Sequence, residues 1–189
     1  MIPIANPEMG EDEKRRVMEV MDSGMLADGP EVREFENEFS KYCGTDHAVA
    51  TSNGTTALHA ALEAVGIGPG DRVVTTPFSF IATANAIRLV GAEPVFTDIN
   101  RETYNVNPMA VESVLREQGE DIDAILGVHL YGLPCDHCQL SELAAEYDIP
   151  LIEDAAQAHG AIYDGERVGS FGDVACFSFY PTKNKIGRA

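Results

Sequence analysis

The sequence predicts an α/β fold of three layers, α/β/α, in which a mostly parallel sheet is covered by helices on both faces. Three observations predict it. Short apolar runs alternate with segments whose apolar residues recur at helical spacing, from one end of the chain to the other. The chain has 189 residues, 44% hydrophobic and 23% charged, enough for one domain with a sizeable core. No internal repeat, low-complexity tract or linker divides it, so residues 1–189 are expected to form a single unit.

The elements follow in order. Gly10 to Ser23 and Pro30 to Tyr42 carry helical spacing, with Glu11-Asp12-Glu13 placed where the helix dipole favours acids. Gly24 to Gly29 separates these two helices. His47 to Thr51 is a strand candidate, followed by the polar turn Ser52-Asn53-Gly54-Thr55-Thr56 and an Ala/Leu-rich helix through Val65. After a Gly66 to Asp71 turn, Arg72 to Thr75 is predicted as a strand, and Pro77-Phe78-Ser79-Phe80 opens a helix to about Val90. Strands are expected at Glu93 to Thr97, Ala124 to His129 and Pro150 to Glu153, with helices at Pro108 to Glu117 and Cys138 to Tyr147. Cys176 to Phe179 is a further apolar strand, running into Tyr180-Pro181-Thr182-Lys183-Asn184.

Thirteen Lys and Arg against 31 Asp and Glu give a formal net charge of −18, which argues against nucleic acid or an anionic membrane as a non-specific partner. Such acidity serves solubility, and it also fits a surface adapted to high salt. No apolar run reaches the roughly 18–20 residues that cross a bilayer, and Met1-Ile2-Pro3-Ile4 lacks a basic segment with an apolar region behind it. A cytoplasmic protein is therefore expected. Cys43, Cys135, Cys138 and Cys176 are too sparse for a disulfide framework. Cys135-Asp136-His137-Cys138 is a C-x-x-C enclosing a histidine. No second pair supplies the usual four zinc ligands, so no metal site is predicted.

In an α/β sheet, ligands bind at the carboxyl ends of the strands, and three features fall there. Lys183 follows an apolar strand and a proline turn. An apolar site favours the neutral amine, which attacks carbonyls and forms Schiff bases, whereas most lysines after a strand are simply solvated. Asp154 ends an apolar strand, where a carboxylate needs a cation or hydrogen bonds. The turn at Asn53 to Thr56 enters a helix whose first N–H groups form a ready phosphate cradle, or an ordinary N-cap. His129 lines a pocket or caps its strand, and His159, before a glycine, fits a core or turn histidine. One cofactor uses the whole set. Pyridoxal phosphate (PLP) takes a lysine for its aldehyde, an acid for its ring nitrogen and a phosphate cup. Lys183 and Asp154 fill the first two roles. Gly54, Thr55 and Ser178 suit the phosphate, and Phe80 suits stacking on the ring.

Asn53-Gly54-Thr55-Thr56-Ala57-Leu58, Thr76-Pro77-Phe78-Ser79-Phe80, Glu153-Asp154-Ala155-Ala156-Gln157-Ala158-His159-Gly160 and Phe177-Ser178-Phe179-Tyr180-Pro181-Thr182-Lys183-Asn184 closely resemble the DegT-type nucleotide-sugar aminotransferases. Ser23-Gly24 through Gly29-Pro30 and Glu34-Phe35-Glu36 are similar to that family too, and the motifs run in the family's order to Asn184. The resemblance implies the large domain of fold-type I PLP enzymes. It selects Lys183 rather than Lys185 for the Schiff base and assigns the ring nitrogen to Asp154. Gln157 falls at the ring hydroxyl or phosphate side, Phe80 on the ring face, and Asn53, Gly54, Thr55 and Ser178 in the phosphate turn and cup. It implies transamination rather than dehydration, since related dehydratases carry histidine in place of the lysine. Glutamate would be the amino donor and a nucleotide-linked keto-sugar the acceptor, giving an amino sugar for surface glycan, in a homodimer. After Asn184 the family continues through a Gly-rich segment and a smaller carboxyl-terminal domain, whereas here Lys185-Ile186-Gly187-Arg188-Ala189 follows. The chain is thus expected to be the amino-terminal portion, with weak or no activity alone. Another PLP reaction on the same fold, such as β-elimination, and a non-catalytic interaction module are the competing expectations.

Overall fold

The computed structural model describes residues 9–118 and 121–183. Asn184, Lys185 and the opening Met1-Ile2-Pro3-Ile4, on which parts of the sequence reading fall, lie outside the described residues.

The leading helices are α1 (Glu11–Ser23) and α2 (Pro30–Cys43). Glu13 turns back to accept the Gly10 N–H at 2.7 Å, and Gly24 ends α1 with φ +71°, a left-handed conformation that suits glycine. Pro30 starts α2 where its missing N–H costs nothing. No residue of α1 is buried, and Arg16 ties it to α2 through Glu31 at 3.0 Å and Glu34 at 3.4 Å.

The central sheet contains β1 (Arg72–Thr75), β2 (Glu93–Phe96), β3 (Ala124–Val128), β4 (Leu151–Asp154) and, after a small hairpin of β5 (Ile162–Tyr163) and β6 (Glu166–Arg167), β7 (Val174–Cys176). Its order is β2-β1-β3-β4-β7, with every neighbouring pair parallel. The remaining helices are α3 (Gly54–Ala64), α4 (Ala82–Leu89), α5 (Pro108–Gln118) and α6 (His137–Tyr147). Side chains alternate across a strand, so each strand feeds both layers. Val73, Leu126 and Ile152 pack on Leu58 and Leu62 of α3 and Ile87 of α4. Their chain neighbours Val74, Ile125 and Leu151 pack on Val111 and Leu115 of α5 and Leu140 of α6. The chain winds from β1 out to β2, then reverses to β3 and β4. The reversal makes a topological switch between β1 and β3, and the carboxyl ends there are the expected ligand crevice.

The fold agrees with the sequence expectation, and three local differences have physical causes. His47–Thr51 is not a strand. It lines a cleft of about 820 Å³ together with Val174 of the sheet's edge strand, and among the described residues no strand pairs with it to complete a ladder. The strand at Cys176–Phe179 ends at Cys176. Phe177 and Phe179 turn aside to pack edge-on against Phe39 at 4.9 and 5.2 Å between ring centroids. The helix opening at Pro77 begins only at Ala82, because Phe78–Ile81 form a turn in which the Thr76 hydroxyl accepts the Phe78 N–H at 3.1 Å. Among the described residues no helix is long and apolar enough to cross a membrane.

Candidate cofactor site

Four segments converge at the carboxyl ends of the strands. The first is the start of α3. Asn53 is its N-cap, with the side-chain oxygen accepting the Thr56 N–H at 2.9 Å, so its carboxamide builds the turn. The N–H groups of Gly54 and Thr55 precede the helical ladder and sit at the positive end of its dipole. Gly54 abuts Ser178, because a Cβ added there would stand 3.0 Å from Ser178 Cβ and 3.3 Å from its Oγ. Helix start and serine thus form one small cup that a side chain at 54 would fill.

The second segment ends β4. Asp154 is only 6% exposed, and its carboxylate has two donors: the Thr83 hydroxyl at 2.7 Å on Oδ2 and the Ala156 N–H at 3.2 Å on Oδ1. Burial pushes its carboxyl upward, and these two hydrogen bonds oppose that rise without cancelling it. Lys183 also acts on it as a neighbouring positive charge.

The third and fourth are the Phe80 turn and the Lys183 turn. The Lys183 N–H bonds the Tyr180 carbonyl at 2.9 Å, and this turn carries its ammonium to 5.4 Å from the centre of the Phe80 ring. Phe80 is 62% exposed and presents a ring face to Lys183. Gln157 is fixed from the β3 side, its Oε1 accepting the Tyr131 N–H at 2.8 Å. Tyr131 holds that N–H in place from a left-handed backbone, φ +54°, which is uncommon for a residue with a side chain. Lys183, Asp154 and Phe80 therefore gather at one place, and Gly54 and Ser178 form the cup two residues beyond the β7 partner of Asp154. The 820 Å³ cleft beside β7 is a different opening, which reaches Gly54 and Ser178 but neither Asp154 nor Lys183.

These residues fit pyridoxal phosphate. A cup that a Cβ would fill admits a phosphate at a helix start, and a buried hydrogen-bonded acid suits a ring nitrogen.

A second cluster went unnoticed in the sequence. Glu153 is 1% exposed and accepts the His129 Nε2–H at 3.1 Å, the Gly169 N–H at 2.9 Å, and the Phe171 and Gly172 N–H groups at 2.9 and 2.8 Å. Burial alone would raise its carboxyl, but the His129 bond and the backbone donors outweigh it and hold it below the ordinary value. His137 packs flat on Phe171, 4.3 Å between centroids, and burial holds it down at about 4. The ligand atoms of His129, His137 and Glu153 lie within 4.8 Å of one another. The Cys135 N–H donates to His129 Nδ1 at 3.0 Å, so Nε2 carries the proton toward Glu153 and has no lone pair for a metal. Cys135 itself is buried with its thiol on the Val128 carbonyl, away from the exposed Cys138. This group is a hydrogen-bonded pin that fastens the 169–172 loop beneath the site. His159 leans on the rings of Phe177 and Phe179 at 5.4 and 5.1 Å.

Comparison with known proteins gives the same picture. The DegT/DnrJ/EryC1/StrS aminotransferase family model matches residues 7–186. GDP-perosamine synthase of Caulobacter vibrioides is 43% identical over 183 residues, 96% of this chain and 48% of that protein. The dTDP-3-amino-3,4,6-trideoxy-alpha-D-glucose transaminase of Streptomyces venezuelae is 45% identical over 168 residues, 89% of this chain and 44% of that protein. A Streptococcus pneumoniae protein solved in its PLP form superimposes with a TM-score of 0.90 at 30% identity, covering 98% of this chain and 50% of that one. The chain spans about half the length of the curated relatives it matches.

Proposed function

Because the chain belongs to the DegT/DnrJ/EryC1/StrS aminotransferase family, we propose that it carries the cofactor half of a PLP-dependent sugar aminotransferase, the amino-terminal portion of that enzyme's large domain. Glutamate is the donor and a nucleotide-linked keto-sugar the acceptor, as the nucleotide sugars in the names of two relatives support. The product is an amino sugar for glycan assembly, made in the cytoplasm by a homodimer. The observation that carries this reading is that Lys183 lies over Phe80, in the turn whose Ser79 is joined through Thr83 to Asp154.

When bound, PLP supplies an aldehyde that exchanges amines and a ring that takes up electrons from a substrate α-carbon. The N–H groups of Gly54 and Thr55 and the Ser178 hydroxyl bind its phosphate, at a helix end where an anion is favoured. Phe80 covers one ring face and keeps water from it. Ionised Asp154 holds a proton on the ring nitrogen, and Gln157 donates to the ring hydroxyl. Lys183 would hold the aldehyde carbon, and its Nζ, when unprotonated, would be the base that moves a proton at the substrate α-carbon.

The test is borohydride reduction of the chain mixed with PLP, followed by peptide mass mapping, and transfer of 15N from glutamate to nucleotide keto-sugars. Label fixed on Lys183, and lost in Lys183→Ala, is expected. Fixation on another lysine, or no fixation, would overturn the assignment.

A further inference from the structure

We propose that Thr83, oriented by Ser79, is a positioning residue that keeps Asp154 ionised and aimed at the ring nitrogen; the role rests on the PLP reading above. Thr83 is 1% exposed on α4, and its Oγ1 lies 2.7 Å from Asp154 Oδ2 and 2.7 Å from Ser79 Oγ. A hydroxyl has one proton to give, and a carboxylate can only accept. The Thr83 proton therefore goes to Asp154, and Ser79 must donate to Thr83. The chain of donors runs Ser79 to Thr83 to Asp154, and only an ionised Asp154 imposes that direction. With a protonated acid the same three groups could reverse, Asp154 donating to Thr83.

The relay matters because the acid is buried. A carboxylate this far from water is driven toward its neutral form unless donors meet it. Among the described residues, Thr83 is the donor that touches it besides the Ala156 N–H. Among the described residues, the charged or titratable groups that act on it are His129, Lys183, the Cys135 thiol and the Cys176 thiol, whose residue pairs with it between β4 and β7. His129 already directs its Nε2 proton to Glu153, so it offers Asp154 no hydrogen bond of its own there. Ser79 stands next to Phe80 in the turn before α4, so the relay also links the acid to the segment that presents the stacking ring.

The test uses the full chain, first without cofactor. Carboxyl 13C NMR of aspartate-labelled protein, with the Asp154 signal assigned by its loss in Asp154→Asn, follows its titration. Thr83→Val keeps the shape and removes the hydroxyl, and Asp154 is expected to titrate higher by about one pH unit or more. Thr83→Ser is expected to restore the wild-type curve, and Ser79→Ala to give a smaller shift of the same sign. An unmoved Asp154 signal in folded Thr83→Val overturns the relay. Should that variant not fold, an unmoved signal in Ser79→Ala does so. With PLP labelled at the ring nitrogen, the 15N shift is expected to move from the protonated toward the neutral position in Thr83→Val, and affinity to fall about ten- to a hundredfold. Absence of PLP binding in the wild type overturns the proposed function, while the cofactor-free titration still decides the relay.

Discussion

Glu153 and Asp154 are neighbours in β4 whose carboxylates face opposite layers of the sheet. Asp154 meets Thr83 of α4, while Glu153 meets His129 and the 169–172 loop on the α6 side. The two-residue period of a strand separates a structural acid from a cofactor acid within one dipeptide.

That separation predicts different phenotypes. Glu153→Gln puts an NH2 against donors already aimed at the carboxylate, leaving at least one buried donor unmet. Its cost is about 2–4 kcal/mol of stability, read from urea unfolding. Asp154→Asn keeps an acceptor for the Ala156 N–H, its NH2 donates to the Thr83 oxygen while that hydroxyl turns to Ser79, and a buried charge is removed, so unfolding should change by less than about 1 kcal/mol. It should nevertheless lose the protonated ring nitrogen in spectra with PLP. Equal destabilisation by the two changes would contradict the division.

The pH dependence of stability should follow His137. Burial holds it down at about 4 from an ordinary 6.5, so the unfolded chain takes up its proton first. Above about pH 6.5 both states are neutral and the residue is silent. As pH falls from there toward 4, the unfolded state is favoured progressively, and stability drops by on the order of 2 kcal/mol. Glu153, held below its ordinary 4.5, adds a loss of stability as pH falls below that value. His137→Phe, which keeps the stack on Phe171, should flatten the slope between pH 6.5 and 4 in unfolding titrations. An unchanged slope would assign the acid sensitivity elsewhere.

Gly54 should tolerate little. Ala at this position suits the helix and should leave the melting temperature near wild type. Its Cβ, however, would sit 3.0 Å from Ser178 Cβ inside the cup. Gly54→Ala is expected to weaken PLP binding by about tenfold or more in absorbance titrations, with Ser178→Ala weakening it less, by about one hydrogen bond. Wild-type affinity in Gly54→Ala would place the phosphate elsewhere.

Much of this was legible before the structure. The apolar runs of β1 to β4 name themselves, and Lys183, Asp154, Phe80 and Gly54 were each placed by the chemistry of a strand end or helix start. The misses concern relationships between distant residues. His47–Thr51 has a strand's composition, but a strand exists only beside a partner, and none lies there among the described residues. The β5–β6 hairpin is too short for a periodic signal, although Asp164-Gly165, with φ +50° and +89°, is a recognisable two-residue turn. Thr83 carries no signal in the sequence because its acid lies 71 residues away. Glu153 was hidden by Asp154, since nothing in a dipeptide says which carboxylate meets backbone donors.

The surface charge leads to a last prediction. With 13 basic residues against 31 acidic ones, most carboxylates have no cation available to them. The ion pairs on α1, such as Lys14 with Glu11 and Arg15 with Glu19, are exposed and contribute little. Mutual repulsion among the other acids therefore works against the compact state, more in the folded chain, where they are crowded, than in the unfolded one. Salt shortens the reach of that repulsion from about 30 Å at 0.01 M to about 3 Å at 1 M. It also weakens the exposed α1 pairs, but these are few, so the net effect is stabilising. The melting temperature, followed by circular dichroism, should rise steadily from low to molar sodium chloride, and most of the rise should be complete by the concentration at which the screening length falls below the spacing of neighbouring surface charges. A flat response would mean that the acids are spaced widely enough to ignore one another, and that the composition reflects solubility alone.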